Sequence, residues 1–113
     1  KNRLSMRFGA TKDMFSRIER AVRYAAKEIG ADGIIPAGAA MLAATRLGIE
    51  KVHRDTFHAS LGLGRYALAM TWLRYLTGVD VSDNDFNPPK YPLTDEQIAM
   101  VKALVSELSP LSL

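Results

Sequence analysis

An aspartate and a histidine three residues apart, Asp55 and His58, are the pair whose types and spacing most directly suggest chemistry in this chain. The run Asp55-Thr56-Phe57-His58 leads straight into Ala59-Ser60-Leu61-Gly62-Leu63-Gly64-Arg65-Tyr66, which reads as a loop running into a helix. At that spacing the carboxylate can fold back and accept a hydrogen bond from the imidazole Nδ1–H. Such a bond fixes the tautomer and leaves Nε2 free to act as a general base. The plainer reading is an Asp whose carboxylate pairs with exposed backbone N–H groups at a helix start, beside a surface His. A base also needs a nucleophile to serve. Ser5, Ser16, Ser60, Ser82, Ser106, Ser109 and Ser112 are present, yet none sits in a Gly-x-Ser-x-Gly elbow or a Gly-Asp-Ser motif. Ser60, two residues from His58, is expected to bond local backbone where the helix begins.

Other groupings carry competing readings. His53, Asp55 and His58 would make three metal ligands, but structural zinc takes four N or S ligands and no fourth is indicated, so no metal is expected. Gly62-Leu63-Gly64 lacks a Walker pattern, and Ala67 stands at the third position of G-x-G-x-x-G. Close packing of a helix start against a neighbouring element explains these glycines, because without a side chain the backbone can approach closely. Phe57, Tyr66, Trp72 and Tyr75 could line a pocket, with core packing as the default for aromatic residues on a helix. Arg54 could bind an anion or pair with a surface acid.

These residues need elements to hold them. Residues 11–29 read as an amphipathic helix with Thr11 as N-cap and Gly30 beyond its end; Met14, Phe15, Ile18, Val22, Ala25, Ala26 and Ile29 share one face. Gly33-Ile34-Ile35-Pro36 is a short buried-strand candidate, and Ala39 to Arg46 a helix of two turns stopped near Gly48. From Gly62 to Leu76 helical spacing returns, with Leu63, Tyr66, Ala67, Met70, Leu73 and Leu76 inward and Gly78 ending it. Residues 79–93, with three prolines, read as an irregular loop or extended segment. Thr94-Asp95-Glu96-Gln97 is a capping box that opens a last helix through about Leu108; Ile98, Val101, Val105 and Leu108 supply its apolar face, and Pro110 closes it. Helix, apolar strand, helix is the rhythm of a parallel α/β sheet. One strand cannot make such a sheet, so the alternatives are a piece of a larger α/β protein or a small helical domain.

The pattern Arg54-Asp55-x-x-His58-x-Ser60, then Gly62-x-Gly64-x-Tyr66, Thr71-Trp72 and Leu76-Thr77-Gly78, resembles the last block of SGNH (GDSL-like) hydrolases, most of all a bacterial subfamily catalogued as a domain of unknown function. The likeness covers roughly residues 30–87. It implies that Asp55 and His58 are the acid and base of a Ser-His-Asp triad. In that family the nucleophilic Ser and the Gly and Asn oxyanion donors lie upstream, and no matching motif occurs here. The implied fold is α/β: residues 1–113 would be the C-terminal part of a three-layer, flavodoxin-like parallel-sheet hydrolase, mostly helical within this portion, with the nucleophile half absent and little activity alone. The implied substrate is a small-molecule or carbohydrate ester, the implied location periplasmic or secreted, and no cofactor is implied.

Composition bounds the rest. At 113 residues the chain is one domain at most, with an ordinary apolar fraction of 48%. No run of about 18 apolar residues is present, so no membrane span is expected. The absence of cysteine excludes disulfides and thiolate metal sites. No secretory signal is visible, and a start at Lys1 rather than Met suggests processing or a cut. Net charge is +3, with Lys1, Arg3, Arg7 and Lys12 as a basic stretch, but Arg17-Ile18-Glu19-Arg20 and Lys27-Glu28 mix signs as a solvated face does. Nucleic acid is therefore not an expected partner. The missing half, or self-association, is; a non-catalytic helical interaction module is the alternative function.

Overall fold

The computed structural model describes residues 3–46 and 59–109, with side chains from residue 13 onward. Among these residues the elements are helices α1 (Arg3–Ile29), α2 (Ala37–Arg46), α3 (Leu63–Thr77) and α4 (Asp95–Glu107), with a 3-10 turn at Val81–Asp83. The parallel-sheet α/β architecture expected from the sequence, three-layered and flavodoxin-like, is not what forms: no strand occurs among the described residues, only a single bridge position at Ala59. The expectation rests on Gly33-Ile34-Ile35-Pro36, and the backbone shows why that segment is not a strand. Its carbonyls open the next helix, Ile35 O accepting from Ala37 N–H at 2.8 Å and Pro36 O from Ala40 N–H at 3.1 Å. Pro36 has no N–H to give a ladder. An apolar run this short does not distinguish a strand from the approach to a helix.

The described residues form two units, one ending at Ile34 and the other beginning at Ile35. The first is α1 with its closing turn. It starts eight residues before the expected cap at Thr11, since nothing between Arg3 and Thr11 breaks a helix and Gly9 costs only about 1 kcal/mol relative to Ala. Its end is as the sequence suggests. Gly30 takes φ +66°, its N–H meets Lys27 O at 3.3 Å and Ala31 N–H meets Ala26 O at 2.9 Å, the paired bonds of a Schellman motif. Along its length Asp13–Arg17 (3.2 Å) and Glu19–Arg23 (3.4 Å) pair acid before base at i,i+4, the favourable order on a solvated face.

The second unit is a three-helix cluster. α2 packs on α3 and α4, α3 packs on α4, and the 3-10 turn packs on both of the latter. Its core joins Ala40 and Ala44 of α2, Tyr66, Ala67 and Met70 of α3, Val101, Leu104 and Val105 of α4, and Val81 of the turn. Two alanines four residues apart put a small-residue strip on α2, which brings its backbone close to its neighbours. The buried face of α3 is the expected one at Leu63, Tyr66, Ala67 and Met70, with Leu73 packed against the core, and departs from it at Thr71 and Leu76. Thr71 is fully buried, its hydroxyl donating to Ala67 O at 2.7 Å, while Leu76 is 67% exposed. Leu76 lies thirteen residues beyond Leu63, which at 3.6 residues per turn is the far side of the helix.

Candidate functional site

Asp55 and His58 lie outside the described residues, as do Arg54, Phe57 and the metal-ligand candidate His53. The described backbone resumes at Ala59, the residue after His58. There Ser60 organises the start of α3. Its Oγ accepts the N–H of Gly64 at 2.6 Å and its carbonyl accepts the N–H of Arg65 at 3.0 Å, while Gly62 O accepts from Tyr66 N–H at 3.0 Å. A helix leaves its first N–H groups without intrahelical partners, and these bonds supply two of them. Ser60 is thus the local backbone partner that its position suggests.

Gly62 is glycine because of a neighbour, as its place at a helix start suggests. A Cβ there would stand 3.2 Å from Tyr91 O and 3.3 Å from Tyr91 Cβ. The loop between the 3-10 turn and α4 therefore lies directly on the start of α3. That loop is pinned at several points. The Asp80 carboxylate accepts the Ser82 N–H (2.9 Å) and hydroxyl (2.7 Å), which hold its pKa below the ordinary carboxylate value, helped by the Arg74 charge. Asn84 Oδ1 accepts Phe86 N–H at 2.9 Å. The Asn87 amide clasps Leu93, donating to its carbonyl at 2.9 Å and accepting its N–H at 2.8 Å. Lys102 on α4 reaches back to the carbonyls of Ser82 and Asn84. The capping box then closes as expected: Gln97 N–H donates to Thr94 Oγ1 (3.1 Å) and Thr94 N–H to Gln97 Oε1 (3.0 Å).

Between these two helix starts an open groove of about 440 Å³ is lined by Ser60, Gly62 and Leu63 on one side. Tyr91, Pro92, Leu93 and Gln97 line the other. Its volume is near the small end for small-molecule sites. Its first lining residue, Ser60, stands two positions after His58 in the sequence. Sequence reasoning missed Tyr91 and Gln97 as site residues. The signal was available: Pro88, Pro89 and Pro92 bracket Tyr91 immediately before a capping box, a stiff loop with its register fixed at one end.

The aromatic residues singled out from the sequence are dispersed. Tyr66 is core, 2% exposed, and its hydroxyl has no hydrogen-bond partner among the described residues; burial pushes its phenol above the ordinary value. Trp72 is on the surface, 52% exposed. Tyr75 donates its hydroxyl to Leu108 O, beside Arg74, which donates to Val105 O and, at 3.1 Å, to Leu108 O. None of the three lines the groove. Among the described serines, the Ser82 hydroxyl donates to Asp80 and that of Ser106 to Lys102 O at 2.8 Å. No helix among the described residues is long and apolar enough to cross a membrane, and no three His, Cys, Asp or Glu side chains among them are placed to share a metal.

The family described as Domain of unknown function (DUF4886) matches residues 7–105, most of the chain, and the chain belongs to that family. No curated protein and no solved structure matches it.

Proposed function

We propose that this chain carries the acid and base, Asp55 and His58, of a serine ester hydrolase of the SGNH type acting on a small-molecule or carbohydrate ester. The observation that supports the reading is the groove that opens at the start of α3, two residues beyond His58, with its wall held by Ser60, Gly62 and the clasped loop. Catalysis of this kind uses a rigid, pre-shaped site, because proton transfer needs the reacting atoms held within hydrogen-bond reach. No serine of the chain sits in a Gly-x-Ser-x-Gly or Gly-Asp-Ser motif, so the nucleophile in this reading is a serine outside these residues.

The chemistry is that of a triad. His58 Nε2 takes the proton as the serine oxygen attacks the ester carbonyl carbon, and Asp55 stabilises the imidazolium. Collapse expels the alcohol, which receives that proton. Water, deprotonated by the same imidazole, then hydrolyses the acyl-serine and restores the free hydroxyl. No cofactor takes part. The test is turnover of p-nitrophenyl acetate, with fluorophosphonate labelling of the native gene product. The proposal expects label on one serine and loss of both signals in His58→Ala. Undiminished turnover in that variant would remove His58 from the reaction.

A second reading, a non-catalytic helical interaction module, is favoured by the stripe of Met14, Ile18, Val22 and Ile29, all exposed on α1. Exposed apolar stripes of this kind mark partner surfaces. Sedimentation over a hundredfold concentration range checks it: a reversible oligomer together with no ester turnover would favour this reading over the first.

A further inference from the structure

The groove at the start of α3 has a chemistry of its own. Its donors are neutral. Gln97 has its side-chain oxygen committed to Thr94 N–H at 3.0 Å. Since an N–H must face an acceptor, this fixes which way the amide is turned. Its Nε2 then holds two N–H groups for which the structure shows no partner among the described residues. Ser60 Oγ accepts from Gly64 N–H, which leaves the hydroxyl proton to donate elsewhere. Tyr91 lines the same groove and is 41% exposed, although its backbone is tight against Gly62. No Lys, Arg or His is among the described lining residues, and the first turn of α4 carries Asp95 and Glu96. The described lining thus offers an anionic ligand no cationic side chain. A long acyl chain would leave the Gln97 donors facing hydrocarbon, which costs about 1–3 kcal/mol for a buried unsatisfied group.

We infer that this groove binds a neutral, hydroxylated ring, a sugar ring, with Tyr91 as the apolar platform and Gln97 Nε2 and Ser60 Oγ–H as donors to its hydroxyl oxygens. A pyranose suits such a site because its C–H face packs on an aromatic ring while its edge accepts hydrogen bonds. The site is preformed: the Asn87 clasp on Leu93 and the capping box hold one wall, and the Ser60 Oγ–Gly64 N–H bond holds the other, which lowers the ordering cost of binding. As the place where the non-acyl part of a substrate sits, the groove rests on the hydrolase reading; as a sugar-binding groove it stands on its own lining.

The experiment is amide NMR of the full chain titrated with methyl β-D-glucopyranoside and, separately, with octanoate. The expected result is saturable shifts at Gly62, Tyr91, Leu93 and Gln97, including the Gln97 side-chain amide, with the glycoside and none with octanoate. Gln97→Glu retains the oxygen that Thr94 N–H needs, so the capping box survives while the donor is lost. It should weaken glycoside binding about threefold to tenfold with unchanged helical circular dichroism. Tyr91→Ala should weaken it at least as much. Shifts with octanoate in place of the glycoside, glycoside shifts scattered away from the groove, or full affinity in Gln97→Glu would each overturn the inference. Glycoside binding without ester turnover by the native gene product would retain the groove and end the hydrolase reading. Turnover without glycoside binding would do the reverse.

Discussion

The two ends of α3 handle polar groups in opposite ways. At the C-terminal end Arg74 and Tyr75, a cation and a phenol side by side, look like site residues, yet Arg74 Nη1 and the Tyr75 hydroxyl donate to the last carbonyls of α4. A guanidinium there satisfies orphan carbonyls and opposes the negative end of the helix dipole. Gly78 at φ +76° completes that end through its N–H to Arg74 O at 2.7 Å. At the N-terminal end the side chains are modest, a serine, a glycine and a glutamine, but the Ser60 hydroxyl proton and Gln97 Nε2 have no partner among the described residues, and a groove stands beside them. A residue's type alone does not say whether the fold engages its polar atoms.

The largest stability effect should come from the closed end. Arg74→Ala leaves the carbonyls of Val105 and Leu108 without their charged donor and should cost about 1.5–3 kcal/mol, the range for hydrogen bonds to charged groups. Chemical denaturation measures it; a cost near zero would mean that the two ends do not differ as described. At the open end Gly62→Ala forces the Tyr91 backbone to yield by a few tenths of an ångström and should cost about 1 kcal/mol. It should also shift the Tyr91 and Leu93 amides, which a pure propensity effect would leave in place.

Between the ends, Tyr66→Phe removes a buried hydroxyl that has no partner among the described residues and should leave stability unchanged or raise it by up to about 1 kcal/mol. The pH dependence has its origin in the same burial. The folded phenol ionises above the ordinary value of 10.0, so its contribution is complete below that pH and is lost as pH rises from there through the folded value. The Phe variant should lack that part of the alkaline loss. The smallest effect is at acid pH. Asp80, with a folded pKa below 3.8, contributes fully above that value and loses its contribution as pH falls through the folded one. In Asp80→Ala the unfolding curve should be slightly flatter below pH 4.

The helices are legible in the sequence because their punctuation is local. Gly30, Gly78 and the Thr94–Gln97 box each specify a terminus through their own few atoms, and Gly62 is legible as a close approach. The absence of a strand among the described residues is not, because Ile34-Ile35 carries strand-like residues without any indication of where its backbone bonds go; the carbonyls of Ile35 and Pro36 accept from α2. The inward face of α3 is misjudged at Leu76 for a related reason: hydrophobicity points one way where angular position decides, and Thr71 is buried instead. Tyr91 and Gln97 escape notice because a groove between two helix starts is a property of packing, and no spacing along the chain encodes it.

The most direct test of the contrast between the two ends of α3 is a paired measurement on the native gene product: ester turnover and thermal stability in His58→Ala and in Arg74→Ala. His58→Ala should lose turnover with its melting temperature retained, and Arg74→Ala should melt several degrees lower while turning over ester at low temperature as the parent does. If His58→Ala turned over ester as the parent does, or Arg74→Ala lost turnover without losing stability, the assignment of chemistry to one end of α3 and structure to the other would be contradicted.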